Sequence, residues 1–186
     1  GRVAYRVVDV ESHSLKVEQH LKRVASGVYR LPEFQRTFVW EEDRVLKLWD
    51  SLYHGFPIGQ IMLWEPEPDE LPMRSLGRAQ IDVAEKKATA IVDGQQRLTA
   101  LDSVLTGDIA LRFDLQDESF VYNDGSTCLR LDILRNDRGE PLSFADVAGE
   151  QFFFMRASPE QKSKFARAIN HLNGVLTQRE LPSQII

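Results

Sequence analysis

The stretch Ile91-Val92-Asp93-Gly94-Gln95-Gln96-Arg97-Leu98-Thr99-Ala100-Leu101 opens as a short apolar run and breaks at a glycine. It then shows two amides and a guanidinium before leucines resume at helical spacing. That pattern predicts a strand, a tight turn and a helix N-terminus. The first N–H groups of a helix have no partner within it, and the helix dipole favours an anion there. Gly94 lets a ligand approach the backbone, and Arg97 has forked donors suited to phosphate oxygens. The same residues also suit an ordinary strand-to-helix turn with a solvated polar tip.

Upstream, residues 28–40 read Val-Tyr-Arg-Leu-Pro-Glu-Phe-Gln-Arg-Thr-Phe-Val-Trp. Pro32 lacks a donor, so this is an edge strand or a loop rather than a central strand. Tyr29, Phe34, Phe38 and Trp40 surround Arg30, Gln35 and Arg36. Aromatic rings among amide and guanidinium groups make a wall for a base or nucleotide. They equally make core aromatics with snorkelling arginines.

Between these stretches, Glu41, Glu42 and Asp43 sit where a helix's first turn favours acids. Val45, Leu48, Trp49 and Leu52 then give an amphipathic helix stopped by Gly55 and Pro57. Ile58 to Trp64 is a buried strand, in which Gly59 marks a close backbone approach or simply the strand's start. Residues 65–76 form an acidic, proline-rich excursion that makes no packed element.

At the N-terminal end, residues 3–8 predict a strand. Ser14 opens a helix with Val17, Leu21 and Val24 on one face, ending near Gly27. Beyond the opening stretch, Leu98, Leu101, Val104 and Leu105 face the core and Gly107 ends the helix. Residues 109–115 alternate as a half-buried strand. Asn123-Asp124-Gly125, flanked by residues 120–122 and 128–133, signals a hairpin. Residues 143–147 predict a short helix and residues 152–155 a strand. Ser158-Pro159-Glu160-Gln161 is a capping box opening a helix that Asn173-Gly174 ends. The expected fold is α+β: a mixed sheet with flanking helices, then a β-meander on that sheet and a C-terminal helix. The 186 residues form one domain with a core at 14–107, a β-rich extension at 108–157 and a helix at 158–174.

With 28 acidic and 23 basic side chains the chain carries a net charge of −5, which disfavours a generic nucleic-acid coat or a basic membrane-surface module. A single cysteine, Cys128, rules out an intramolecular disulfide and fits a reducing, cytoplasmic setting. On a strand it reads as a small buried hydrophobe. No apolar run reaches the ~18–20 residues that span a bilayer, and no signal peptide is visible. The chain starts without Met, as an excised domain of a longer protein does. His13, His20, His54 and His171 are scattered out of metal-ligand spacing. There is no Walker-type loop, nucleophile elbow or nuclease signature. Any chemistry therefore falls to Asp93, the Gln95-Gln96-Arg97 turn and Gln35-Arg36.

Leu31 to Trp40 and Ile91 to Leu101, joined by Asp50 to Trp64, resemble the DGQQR-motif proteins. These include the N-terminal domain of GmrSD-type, modification-dependent (type IV) restriction enzymes and related phage-defence proteins. The resemblance spans about residues 14–107. It implies a ParB/sulfiredoxin-like fold that binds or hydrolyses a nucleoside triphosphate with Mg2+. It also implies a partner nuclease domain or subunit, and modified DNA as the target of the full-length protein. Carried onto this sequence, Gly94, Gln95, Gln96 and Arg97 would cradle phosphates, with Phe34, Gln35 and Arg36 lining the facing wall. Asp93 would hold the turn or a metal-bound water, and Asp93, Gln96 and Arg97 would act in catalysis. The turn lacks the cysteine that sulfinic-acid reduction needs, and no nuclease motif is present, so this chain alone is not expected to cleave DNA. The alternative is a non-catalytic DNA-binding or protein-interaction module using the same cleft.

Overall fold

A computed structural model describes residues 10–67, 71–76, 88–136, 140, 142, 146–147 and 156–186. The strands expected at 3–8 and 152–155 lie outside the described residues. So does most of the short helix expected at 143–147, of which residues 146–147 are helical.

The first half contains β1 (Glu11–Lys16), α1 (Val17–Ala25), β2 (Tyr29–Pro32), α2 (Glu42–Tyr53), β3 (Ile61–Trp64), β4 (Met73–Ser75), β5 (Thr89–Asp93) and α3 (Gln95–Leu105). The second half contains β6 (Arg112–Asp114), β7 (Ser119–Val121), β8 (Cys128–Arg130), a 3-10 turn at Leu131–Leu134, α4 (Pro159–Thr177) and β9 (Glu180–Ile185). Six strands form a mixed sheet in the order β1-β9-β3-β5-β2-β4. The other three form a separate antiparallel sheet in the order β7-β6-β8. The α+β class with flanking helices and a C-terminal helix is as expected.

The core is shared by helices and sheet. Leu21 and Val24 of α1, Trp49 and Leu52 of α2, and Leu98 and Leu101 of α3 are buried. They join Phe165, Ile169 and Leu172 of α4 and Ile61, Leu63 and Ile91 of the sheet in one cluster. At about 25 cal/mol per Å² of apolar surface, these faces dominate the folding free energy. No helix among the described residues is long and apolar enough to cross a membrane.

Several expectations are corrected. Ser14 lies in β1, and α1 starts at Val17, where the Gln19 side chain accepts from the Lys16 N–H at 2.7 Å. β2 is not an edge strand, because β4 covers its outer side: Leu31 pairs with Arg74 and Pro32 with Met73. The acidic excursion thus supplies a short, charged edge strand of the kind that blunts a sheet's edge. The β-rich extension makes its own sheet instead of a meander on the main one. Residues 123–125 do not close a hairpin, since β7 and β8 each pair with β6 between them. The tight connection is instead between β6 and β7. There Asp114 Oδ1 accepts from the Gln116 N–H and the Thr127 hydroxyl, and Glu118 adopts φ +52°.

The α4 capping box forms as expected, with the Gln161 N–H donating to Ser158 Oγ. The helix nevertheless passes through Gly174 to Thr177. Burying Val175 and Leu176 outweighs the roughly 1 kcal/mol helix cost of a glycine. The run that follows, which includes Leu181-Pro182-Ser183 and carries no strand signal of its own, forms β9. That strand lies between β1 and β3, antiparallel to the first and parallel to the second.

Topology also assembles the region of interest. β2 runs parallel to β5, so their C-terminal ends share one end of the sheet. β3 runs antiparallel to β5, which brings its N-terminal end to the same place. The chain leaving β2, the chain entering β3 and the turn from β5 into α3 therefore converge.

Candidate functional site

Gly94 is the N-cap of α3 and is left-handed, with φ +97°. A Cβ here would stand 2.5 Å from Ile61 Cδ1, so both conformation and space call for glycine. Asp93 folds back over the turn, where Oδ1 accepts the Gly94 N–H at 2.9 Å. Its other oxygen is 3.9 Å from Arg97 Nη2. No side chain caps α3, which leaves its first-turn N–H groups for an outside acceptor.

Arg97 reaches across to the chain entering β3. Nη1 donates to the Ile58 carbonyl at 2.6 Å and Nη2 to the Gln60 carbonyl at 2.9 Å. Gly59 lies between these two acceptors with φ +86°, and a Cβ on it would collide with the guanidinium. Of the two roles the sequence left open for Gly59, close approach is the one observed. Two guanidinium donors are thus committed to backbone, and an edge of the group still faces a cleft.

The segment leaving β2 lies along the first turn of α3. Gln35 Nε2 donates to the Val92 carbonyl at 3.3 Å, and Arg74 Nη2 donates to the Gln35 carbonyl at 2.6 Å. The Gln96 amide accepts from the Val39 N–H at 3.4 Å and donates to the Thr37 carbonyl at 3.5 Å. The two motifs read from sequence therefore do meet. They meet as a strap, and the strap divides the expected single pocket in two.

On one side is a cleft of about 190 Å³ lined by Arg36, Glu41, Arg44, Gln96 and Arg97 over an apolar floor that includes Val45 and Leu48. Arg44 pairs with Glu41 at 2.8 Å, and Arg36 has no acidic partner among the described residues. On the other side is a cleft of about 380 Å³ whose lining includes Gln95, Thr99, Ser103, Trp40 and Arg74. Phe38 forms part of both walls. Phe34 is 75% exposed and lines neither cleft. Tyr29 and Arg30 lie in the interior, Tyr29 against His20 and Arg30 on the Gly27 carbonyl. Arg44, Thr99 and Ser103 were not singled out from sequence. The last two follow Gln95 at i+4 and i+8, a polar stripe on a helix otherwise rich in leucine. Cys128 is buried on β8, and burial pushes its thiol pKa up, away from reactivity.

The sequence pattern of the GmrSD restriction endonuclease N-terminal domain matches residues 17–183, from the first residue of α1 into β9. The chain belongs to that family. The family takes its description from the N-terminal domain of the GmrSD restriction endonuclease. An uncharacterized protein of Methanocaldococcus jannaschii is 32% identical over 87 residues, a match covering 44% of this chain. The match takes in 15% of that much longer relative.

Proposed function

We propose that this GmrSD N-terminal domain binds a nucleoside triphosphate, with the phosphates against the first turn of α3. It would act as the nucleotide-responsive part of a restriction enzyme whose cutting is done by a nuclease domain or subunit and whose target is modified DNA. One observation carries the reading: an uncapped helix N-terminus opens beside three arginines, Arg36, Arg44 and Arg97, in a protein of net charge −5. Cations collected at one helix end in an acidic chain favour an anionic ligand.

No cluster of three His, Cys, Asp or Glu side chains forms a ready metal cage among the described residues. Mg2+ needs no such cage, since it binds through phosphate oxygens with one or two carboxylates. Asp93, at the turn, is the carboxylate in position to assist. Phosphoryl transfer needs charge neutralisation and a positioned water more than covalent chemistry. Arg36 and Arg97 supply the first, and Asp93 and Gln96 are the polar groups available for the second.

Calorimetric titration with ATP, GTP, CTP and UTP, with and without Mg2+, tests this directly. Binding of at least one triphosphate, weakened tenfold or more by Arg36→Ala, is the expected result. Absence of binding at millimolar concentration overturns it. DNA binding that weakens steeply with salt in that same protein would favour the DNA-module alternative.

A further inference from the structure

A third cleft, of about 340 Å³, lies away from the strap, between the end of α3 and strands β6 and β8. It shares only Ile109 with the cleft beside Trp40 and no residue with the smaller one. Its lining carries two arginines and two aspartates, so its charges cancel. The register of β6 and β8 sets Arg112 directly opposite Arg130. Like charges facing each other across strands are destabilising, so each guanidinium calls for an acid. Arg130 has one, for its Nε and Nη2 donate to the two oxygens of Asp132 at 3.1 and 2.5 Å. Arg112 is matched less well. Its side chain is 19% exposed, and the one carboxylate near it among the described residues, that of Asp124, stands 3.6 Å away. That is beyond hydrogen-bond length, and the Arg112 guanidinium donates no hydrogen bond among the described residues. Asp124 is 77% exposed and has no other partner among them. The pair is thus loose, with a fork of donors on one side and free lone pairs on the other. Around it the lining is largely apolar, with Val104, Ile109, Leu111 and Leu131 all buried.

We infer that this cleft binds a free amino acid with an apolar side chain. The carboxylate lies on the Arg112 fork, the ammonium on Asp124 and the side chain against the apolar lining. A zwitterion carries both charges on one carbon, so it can join a loose pair of opposite charges and give each a hydrogen-bonded partner. A simple anion would leave Asp124 facing a second negative charge. A simple cation would leave Arg112 unmatched and face Arg130 as well. A planar guanidinium takes a carboxylate through two parallel bonds, which fixes the ligand's orientation. The volume falls within the ~300–1,000 Å³ range of small-molecule sites. The inference stands on this cleft's own groups and does not depend on the nucleotide reading.

The test titrates leucine, valine and phenylalanine calorimetrically into the whole chain. Isocaproate and isoamylamine, which each keep one of leucine's two charges, serve as controls. At least one amino acid is expected to bind, and about tenfold or more tightly than either control. Arg112→Gln and Asp124→Asn should each weaken that binding about tenfold, or 1.4 kcal/mol. Removing a guanidinium that faces Arg130 should leave the melting temperature unchanged or raise it, so lost binding is not lost folding. Arg112→Lys keeps the charge without the fork and should also bind less tightly, which serves if the Gln variant does not fold. Cys128, the only cysteine, lies in the same lining and gives a second readout. Its reaction with iodoacetamide should slow when the amino acid is bound and not when isoamylamine is added. Absence of binding by all three amino acids at millimolar concentration overturns the inference. So does isocaproate binding as tightly as leucine, or amino-acid binding unchanged by both Arg112→Gln and Asp124→Asn.

Discussion

The guanidinium of Arg97 fills the space that a side chain at Gly59 would take. It can do so because Gly59 is left-handed and turns the carbonyls on either side, those of Ile58 and Gln60, toward the two terminal nitrogens. Arg97 therefore holds the entry to β3 against α3, whatever else it binds.

Gly59→Ala should lower the unfolding free energy by about 1–3 kcal/mol, the cost of a non-glycine residue in such a conformation together with its collision. Urea denaturation measures this. The double variant Gly59→Ala/Arg97→Ala should lose less than the sum of the two single losses, because one substitution removes what the other clashes with. Strict additivity would show that the two residues do not share the space.

Arg97 is consequently a poor probe of ligand binding taken alone. Arg97→Ala should lower both the melting temperature and triphosphate affinity. It also leaves the Ile58 and Gln60 carbonyls without their donors, at a cost of about 1–3 kcal/mol. Arg97→Lys should recover only part of the stability, since one ammonium cannot reproduce a planar fork. Arg36→Ala should reduce triphosphate affinity at an unchanged melting temperature. Thermal shift and calorimetry on the same samples separate these effects.

His20 gives the fold a pH dependence of predictable sign. It is fully buried, donates from Nε2 to the Leu181 carbonyl at 2.7 Å, and accepts at Nδ1 from the Tyr29 hydroxyl at 2.7 Å. Burial first, and the positive charge of Arg23 in addition, push its pKa below the usual 6.5, against the opposing Leu181 bond. The unfolded chain binds a proton there below about pH 6.5, whereas the folded chain resists. The His20 contribution is thus complete above that pH and is lost as pH falls through the depressed folded value. Unfolding free energies measured from pH 8 to pH 5 should show this loss, and His20→Gln should flatten the profile while lowering stability at neutral pH. An equally steep profile in the variant would assign the loss to other groups.

Residues 14–107, which contain both polar motifs, should not fold as an isolated fragment. They lack β9, without which β1 and β3 have no connection in the sheet, and α4, whose Phe165, Ile169 and Leu172 complete the core. Removing residues 180–186 should likewise abolish cooperative melting, followed by circular dichroism. A cooperative transition in either fragment would refute this.

How much of this was legible in the sequence depends on how local each signal is. The strand, turn and helix at residues 91–101 came through because Gly94 and the leucine spacing are local features. The α4 capping box was legible for the same reason. β4 and β9 were not, because Met73-Arg74-Ser75 and Leu181-Pro182-Ser183 look like loop until a neighbour pairs with them. The meeting of Gln35 with Val92 and of Gln96 with Thr37 and Val39 was anticipated as two facing walls. The division of the pocket was not, since it depends on the strap running along α3. The stripe Gln95, Thr99 and Ser103 was present in the sequence at helical spacing, but only the packing of α3 buries it.

The pairing of β1 with β9 sets when this protein can become itself. Ser14 donates to the Glu180 carboxylate at 2.7 Å across 166 positions of chain, and the whole β1 register is of that kind. Contacts so distant in sequence form late and slowly, because a long loop must close before they give any return. During synthesis β1 and β3 wait for a strand made after every other described strand of their sheet, with apolar side chains such as Leu63 meanwhile uncovered. The direction of synthesis and the order of assembly are therefore opposed. A newly made copy of this domain passes through a vulnerable interval that ends only when β1 and β9 lie side by side.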